Sequence, residues 1–409
     1  MDDRPKGQKK PKKRSAAQLT DEEILSIIDR RQDNSFNDED SEISVRRQNL
    51  FARYMGQLYG NERNGQSKVV TRQCLEAVEW TLPSLLRVFL SSPTIVEFDP
   101  VGQADESAAA QETLALNHVF MKQNDGFMTL YTWLKDTLMN PVGYVKVYWN
   151  EEEKVTTEEY EGLLAPQVDL LMMDDNLEII DQEENQREIE TPMGPQAVSV
   201  FDITVRRTLK EGQAVIEPVP PEELTIDDKL SSVNLDKADF ICHETFMTRS
   251  ALVEMGFDVA QVYDLPAGGE ENSETISRRE DSEDRGVADR VDDVSDEATE
   301  LIRIKDTYLH LDYNDDGIAE FRHIFVAGGE IMDNEECGYQ PFIGMTSVPI
   351  PHIHAGLSWM ELVEDIQRIY TTITRQLLNN MYRTNNPRTV VGRGVTLADV
   401  VNDLPNAPI

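Results

Sequence analysis

Cysteine is scarce: three residues, Cys74, Cys242 and Cys337, lie far apart in a chain of 409 and are odd in number. They build neither a disulfide framework nor a cysteine zinc site, a usage that suits a reducing cytoplasm. No run approaches the roughly 20 apolar residues of a membrane helix. No apolar stretch follows the basic N-terminus, so a secretory signal is excluded as well. Basic charge is the third shortage. The chain has 39 Lys+Arg against 76 Asp+Glu, a net charge of -37. A protein that grips nucleic acid by its phosphates needs a basic footprint, so any contact with DNA has to be one that does not hold it.

Signatures of catalysis are missing too. There is no GxxxxGK[ST] phosphate loop, Gly392-Arg393-Gly394 being too short, and no GxSxG elbow. The carboxylates could supply a two-metal nuclease. They sit mainly in acidic stretches that read as solvated surface, and no enzyme is expected. Only six histidines occur, and His352-x-His354 offers two ligands where zinc needs more, so a structural role is expected there.

The apolar share, 39%, is adequate for a core, and the length is a prior for two or three domains or one large irregular one. Residues 1–18, with Arg4, Lys6, Lys9, Lys10, Lys12, Lys13 and Arg14, form a basic arm expected to be disordered. Residues 19–150 are mainly helical. Thr20 and Glu23 form a capping box before Ile24, Ile27 and Ile28; further helices are expected over 42–59, 68–92 (with Pro83 kinking it), 104–123 and 127–139. Short strands are expected at Thr94–Phe98 and Val142–Trp149.

Residues 151–265 read as an α/β part with an exposed acidic insertion at 151–196. Strands are expected at Val198–Leu209 and Ala214–Val219, joined by a turn at Glu211-Gly212, before a brief helix capped by Thr248. Residues 266–299 nearly lack large apolar side chains and are expected to be a disordered acidic loop. Residues 300–356 are β-rich, with strands at 301–311 and 319–327. The last segment, 357–409, opens with a second capping box, Ser358 and Glu361, and a long helix. The fold class is α+β, mainly helical with mixed sheets.

The turn between the 301–311 and 319–327 strands, DYNDDGIAE, begins like a calcium loop. Asp312, Asn314 and Asp316 take the first, third and fifth positions, Gly317 the sixth and Glu320 the ninth. The twelfth is His323 rather than the bidentate Glu of an EF-hand, and the flanks are strands, so an EF-hand is excluded. A partial calcium site at Asp312, Asn314, Asp316 and Glu320 and a plain Asp-Gly hairpin turn remain as alternatives.

The long helix carries Leu362, Ile366, Ile369, Tyr370, Ile373, Leu377 and Met381 at spacings of three and four, one apolar stripe. It is roughly 37 Å long at about 1.5 Å per residue, longer than a small domain requires. A helix of this length with one narrow apolar stripe spans a body or lines an axis.

The order of these segments resembles the portal proteins of short-tailed bacteriophages. The resemblance covers roughly residues 40–395. It is carried by Ser67-Lys68-Val69-Val70 and Pro83-Ser84-Leu85-Leu86; by Pro221-Glu222-Glu223-Leu224-Thr225-Ile226-Asp227 with Ala238-Asp239-Phe240-Ile241-Cys242-His243 and Met255-Gly256-Phe257-Asp258; and by DYNDDGIAEFRHIFVAGGEIM leading into EDIQRIYTTITRQLLNNMYRTNNPR. It implies a fold of wing, stem and clip regions around a long helix. It also implies a closed ring, typically of twelve subunits, at one capsid vertex, assembled in the host cytoplasm. The long helix would pack against its copies in neighbouring subunits, with Leu362, Ile366, Ile369, Ile373 and Leu377 as candidate oligomer-interface residues, and double-stranded DNA would pass through this ring non-specifically. Terminase, the major capsid protein, scaffolding protein and head-completion adaptor or tail proteins would be its partners, with no membrane involved. Members continue beyond such a helix, so an incomplete subunit is expected. The competing expectations are an acidic adaptor or scaffold-type virion protein without a channel, and a metal-dependent nuclease.

Overall fold

A computed structural model of the chain describes residues 19–36, 41–92, 94–102, 105–172, 177–191, 194–268, 296–314, 317–385 and 394. The basic arm at 1–18, most of the acidic loop and the end of the chain, expected from sequence, lie outside these residues. The chain divides into two compact units, 1–146 with 217–409, and 147–216.

The larger unit begins with α1 (Asp21–Asp33), whose N-terminus is closed by the Thr20–Glu23 capping box. Next come α2 (Glu42–Met55), ended by Gly56 in the left-handed conformation, and α3 (Gln73–Leu90), which keeps Pro83 within it. The sequence suggested that this third helix starts at 68; residues 68–72 are instead irregular and are held by side chains of the last helix, described below. After α4 (Glu106–His118), a π turn at Val119–Gln123 leads to α5 (Gly126–Met139). Cys74, Val78, Leu82 and Leu86 of α3 interlock with Leu130, Leu134 and Leu138 of α5, Leu50 of α2 and Met360. The expected strand at Thr94–Phe98 does not form. Its amides are taken by a helix: Ile95 N–H donates to Asn117 Oδ1 (2.7 Å) and Phe98 N–H to Thr113 Oγ1 (3.0 Å).

The same unit holds a five-stranded antiparallel sheet, β4 (Leu224–Ile226), β5 (Phe240–Thr248), β6 (Leu301–Leu311), β7 (Glu320–Ala327) and β8 (Glu330–Glu336), in that spatial order. One face carries Phe240, Cys242, Leu309, Leu311, Ile324 and Val326 and is covered by Ile24 and Ile28 of α1. The other face presents Ile241 and Tyr308 to a cluster with Phe342 and Leu235. Farther along it presents Ile302, Ile304 and Phe325 to α7 (Arg249–Glu254) and α8 (Val259–Asp264). Thr248 caps α7 as the sequence indicated, its side chain accepting from Ala251 N–H.

The smaller unit takes most of β1 (Gly143–Leu163), α6 (Ala165–Leu171), β2 (Leu177–Thr191) and most of β3 (Gly194–Val219). Within it the strand order is β2-β3-β1, with β2 and β3 antiparallel. The first residues of β1, Gly143–Lys146, belong to the larger unit and pair antiparallel with β9 (Phe342–Met345). The small core is Val168, Ile203 and Val205, with Tyr160, Leu163, Leu177 and Phe201 partly buried around it.

Two expectations fail here. The turn at Glu211-Gly212 is absent, because β3 runs straight through it. The glycine serves a close approach instead: a Cβ on Gly212 would lie 2.3 Å from the Trp149 ring. The strands whose register is defined pair antiparallel, where mixed sheets were expected.

Candidate subunit interface

The last helix, α9 (Glu361–Asn385), follows a reciprocal cap: Ser358 N–H donates to Glu361 Oε2 (2.7 Å) and Glu361 N–H to Ser358 Oγ (3.2 Å). An amphipathic helix ordinarily turns its apolar stripe to the core. This one is seated the other way round. Its fully buried residues are Gln367 and Thr371.

The polar side is satisfied group by group. Gln367 Oε1 accepts from Cys74 N–H (2.8 Å), and its Nε2 donates to the Arg53 carbonyl (3.0 Å). The hydroxyls of Thr371 and Thr71 meet at 2.8 Å, and Thr371 Oγ1 also accepts from Thr71 N–H. One turn on, Arg375 donates through Nε to the Val69 carbonyl (2.7 Å), through one terminal nitrogen to Asn61 Oδ1 (2.9 Å) and through the other to Glu62 Oε1 (2.6 Å). Asn379 Oδ1 accepts from Ser67 N–H (2.7 Å). Arg46 pairs with Glu361 through both carboxylate oxygens.

These bonds explain why residues 68–72 stay irregular. The backbone groups of Ser67, Lys68, Val69 and Thr71 face α9 rather than one another. The electrostatics follow the geometry. Burial tends to raise the Glu62 carboxyl, but hydrogen bonds from Arg375 and from the Tyr59 backbone hold it below the ordinary glutamate range. Burial pushes the Cys74 thiol up to about 11, with the Glu364 charge adding to it, so this cysteine is an inert core residue.

The opposite side of α9 is left uncovered. Leu362, Ile366, Ile369, Tyr370, Ile373, Leu377, Met381 and Tyr382 are each about half exposed, from 48% at Leu362 to 60% at Ile369 and Leu377. All five candidate interface residues lie on this stripe. What the sequence does not reveal is the polar seat. The positions that fix it, Gln367, Thr371, Arg375 and Asn379, are spaced by four residues and read as an ordinary solvated face.

The candidate calcium residues sit in the turn of the β6–β7 hairpin, whose pairing runs to Leu311 and Glu320. Asp312 Oδ2 accepts from Gly317 N–H (2.8 Å), closing the turn. Asn314 Nδ2 donates to Glu320 Oε1 (2.6 Å), and Glu320 Oε2 faces Arg322 at 3.2 Å. Asp316 lies outside the described residues. The structure thus brings Asn314 and Glu320 together and gives Asp312 a role in the turn itself. The two histidines of His352-x-His354 part company. His354 is buried, its Nε2 against Tyr144 Oη (2.9 Å) and its Nδ1 against the Ser232 carbonyl (2.8 Å), while His352 is exposed with a positive φ of 65°. Burial pulls the His354 pKa down, so the ring is neutral, donating from Nδ1 and accepting at Nε2.

No helix among the described residues is long and apolar enough to cross a membrane. None of the curated proteins matches the chain. The model of the family described as Phage SU10 portal protein matches residues 24–409, nearly the whole sequence and the whole of the α9 region. The chain therefore belongs to the Phage SU10 portal protein family, which makes it a podovirus-type portal protein, a structural component of the bacteriophage virion concerned with packaging DNA into the capsid.

Proposed function

We propose that the chain is one subunit of a closed ring of about twelve copies at a capsid vertex, joined through the uncovered stripe of α9. Double-stranded DNA crosses the ring during packaging and ejection. Terminase, capsid and scaffolding proteins and the tail adaptors dock around it, and the wing, stem and clip arrangement of portals is the architecture expected of the assembled subunit.

One observation carries this reading. A 25-residue helix is fixed to its own subunit by polar groups and shows its apolar residues to the outside. Exposed apolar patches of this kind mark interaction surfaces. A ring of identical subunits makes heterologous contacts that close by rotation, so each copy offers this stripe to the next. Each of the five candidate side chains is already about half covered, so completing its burial contributes on the order of 1 kcal/mol, and roughly 5 kcal/mol together.

The net charge of -37 supports the rest. A channel whose wall repels phosphate offers DNA no sticking points, and some of the acidic residues are assigned to that wall. Electron microscopy of the purified full chain tests the reading. Rings with a central hole are expected; a monomer or small oligomer without a hole would favour an acidic adaptor, and a basic channel lining would overturn the low-friction role of the charge. Cleavage of DNA in the presence of Mg²⁺ would point to a nuclease instead.

A further inference from the structure

The edge of the five-stranded sheet carries a group of ligating side chains that the subunit contact does not use. His323 on β7 and Glu335 on β8 are directly opposite in the antiparallel ladder. Phe325 and Asp333 are the next pair on that face. Immediately beyond them a bulge between Phe325 and Val326 shifts the register, as bulges commonly do where a sheet edge re-aims a side chain. One ligand atom from each of His323, Asp333 and Glu335 lies within 4.8 Å of the others.

The imidazole is held in place before any ion arrives. Its Nε2 lies 2.6 Å from Asp306 Oδ1, and Asp306 Oδ2 in turn accepts from Lys146 Nζ at 2.9 Å. Tyr308 stacks on the ring, with centroids 4.6 Å apart and planes at 18°. A histidine whose far nitrogen donates to a buried carboxylate has its tautomer and orientation set by that bond, and this is the usual support behind a metal-bound imidazole. The near nitrogen, Nδ1, faces Glu335 Oε1 at 3.6 Å. Asp333 Oδ1 accepts its neighbour's amide, from Asn334 N–H, at 2.8 Å; that leaves its second oxygen for a ligand.

We propose that His323 Nδ1, Asp333 and Glu335 form a binding site for a divalent transition cation of the zinc class at the exposed edge of this sheet. One imidazole and two carboxylates suit zinc, whereas an imidazole is a poor ligand for calcium or magnesium. Three protein ligands leave a coordination position for water. Because β7 and β8 are adjacent and β8 is the outer strand, the ion pins that strand to its neighbour. It binds only the folded chain and so raises its thermal stability.

The occupant that competes with the metal is a proton on Nδ1. Burial lowers the His323 pKa, but the hydrogen bond and charge of Asp306, with the charge of Glu335, more than offset this and raise it.

Titration calorimetry of the chelator-stripped full chain with Zn²⁺ at neutral pH tests the site. One saturable site per chain is expected, with a rise in Tm on loading. Asp333→Asn and Glu335→Gln, both exposed, each weaken binding by more than about tenfold and shrink the rise in Tm on loading. Calcium does not compete. Absence of saturable binding overturns the proposal. So does equal affinity in the Asp333→Asn/Glu335→Gln double variant, which would place the ion among the chain's other carboxylates.

Discussion

Helices α3 and α9 lie against the same core, and each is amphipathic, yet they are seated by opposite chemistry. α3 turns Cys74, Val78, Leu82 and Leu86 inward and is held by burial. α9 turns Gln367 and Thr371 inward, is held by paired hydrogen bonds and keeps its isoleucines outside. Apolar burial is strong and non-directional, so a helix meant only to stabilise its own subunit would use its stripe as α3 does. A polar seat fixes orientation and leaves the stripe for a second surface. The arrangement has a cost, since each hydrogen bond of the seat is worth only about 1 kcal/mol net. It is the pattern expected of an element serving the assembly as much as the subunit.

The comparison predicts a ranked series of effects in the unassembled chain. The largest is in the apolar seat: Leu134→Ala or Leu82→Ala leaves a cavity and costs about 2–5 kcal/mol by denaturant unfolding. Ile369→Ala on the outer face of α9 costs less than about 0.5 kcal/mol in the same measurement. A large loss there would mean the stripe is covered within the subunit. Second, Gln367→Leu makes the seat of α9 more apolar and still destabilises, by about 2–3 kcal/mol, because the Cys74 amide and the Arg53 carbonyl lose their partner. A gain in stability would show that α9 is held as α3 is.

Third, Thr371→Val keeps the shape and removes the hydroxyl that meets Thr71, for about 1 kcal/mol. The smallest effect is a pH dependence. Glu62 is held below its ordinary value of 4.5 in the folded chain, so its contribution is present above that value and is lost as the pH falls through the folded pKa. Acidification below about 4.5 should therefore loosen α9, with faster amide exchange there than in α3. Glu62→Gln should remove the difference; unchanged exchange in α9 would show that the Arg375 pair does not hold the helix.

Much of this was legible in the sequence for stated physical reasons. Both capping boxes, the stripe of α9 and the β6–β7 hairpin follow from local rules that tertiary packing did not override. The start of β1 was legible as the Val142–Trp149 strand, but its continuation to Leu163 and all of β2 were not, because an acid-rich stretch such as Glu178–Glu190 has no apolar alternation to mark a strand. Their order comes from pairing with β3. Within the β-rich segment β8 was not singled out for the same reason: Glu330, Asp333, Glu335 and Glu336 leave no apolar alternation, because they lie on an edge strand whose outer residues are solvated. For α9 the periodicity revealed the stripe but not what covers it. That depends on Arg53, Ser67, Val69, Thr71 and Cys74, some three hundred residues away in sequence.

The central claim is that the outward stripe of α9 joins subunits and does nothing for the isolated fold. The most direct test is the assembly mass of the full chain carrying Ile366→Asp and Ile373→Asp, measured by analytical ultracentrifugation beside the unsubstituted protein. A single-chain species with unchanged circular dichroism and thermal unfolding is predicted. A ring of undiminished mass would contradict the account, as would collapse of the fold itself.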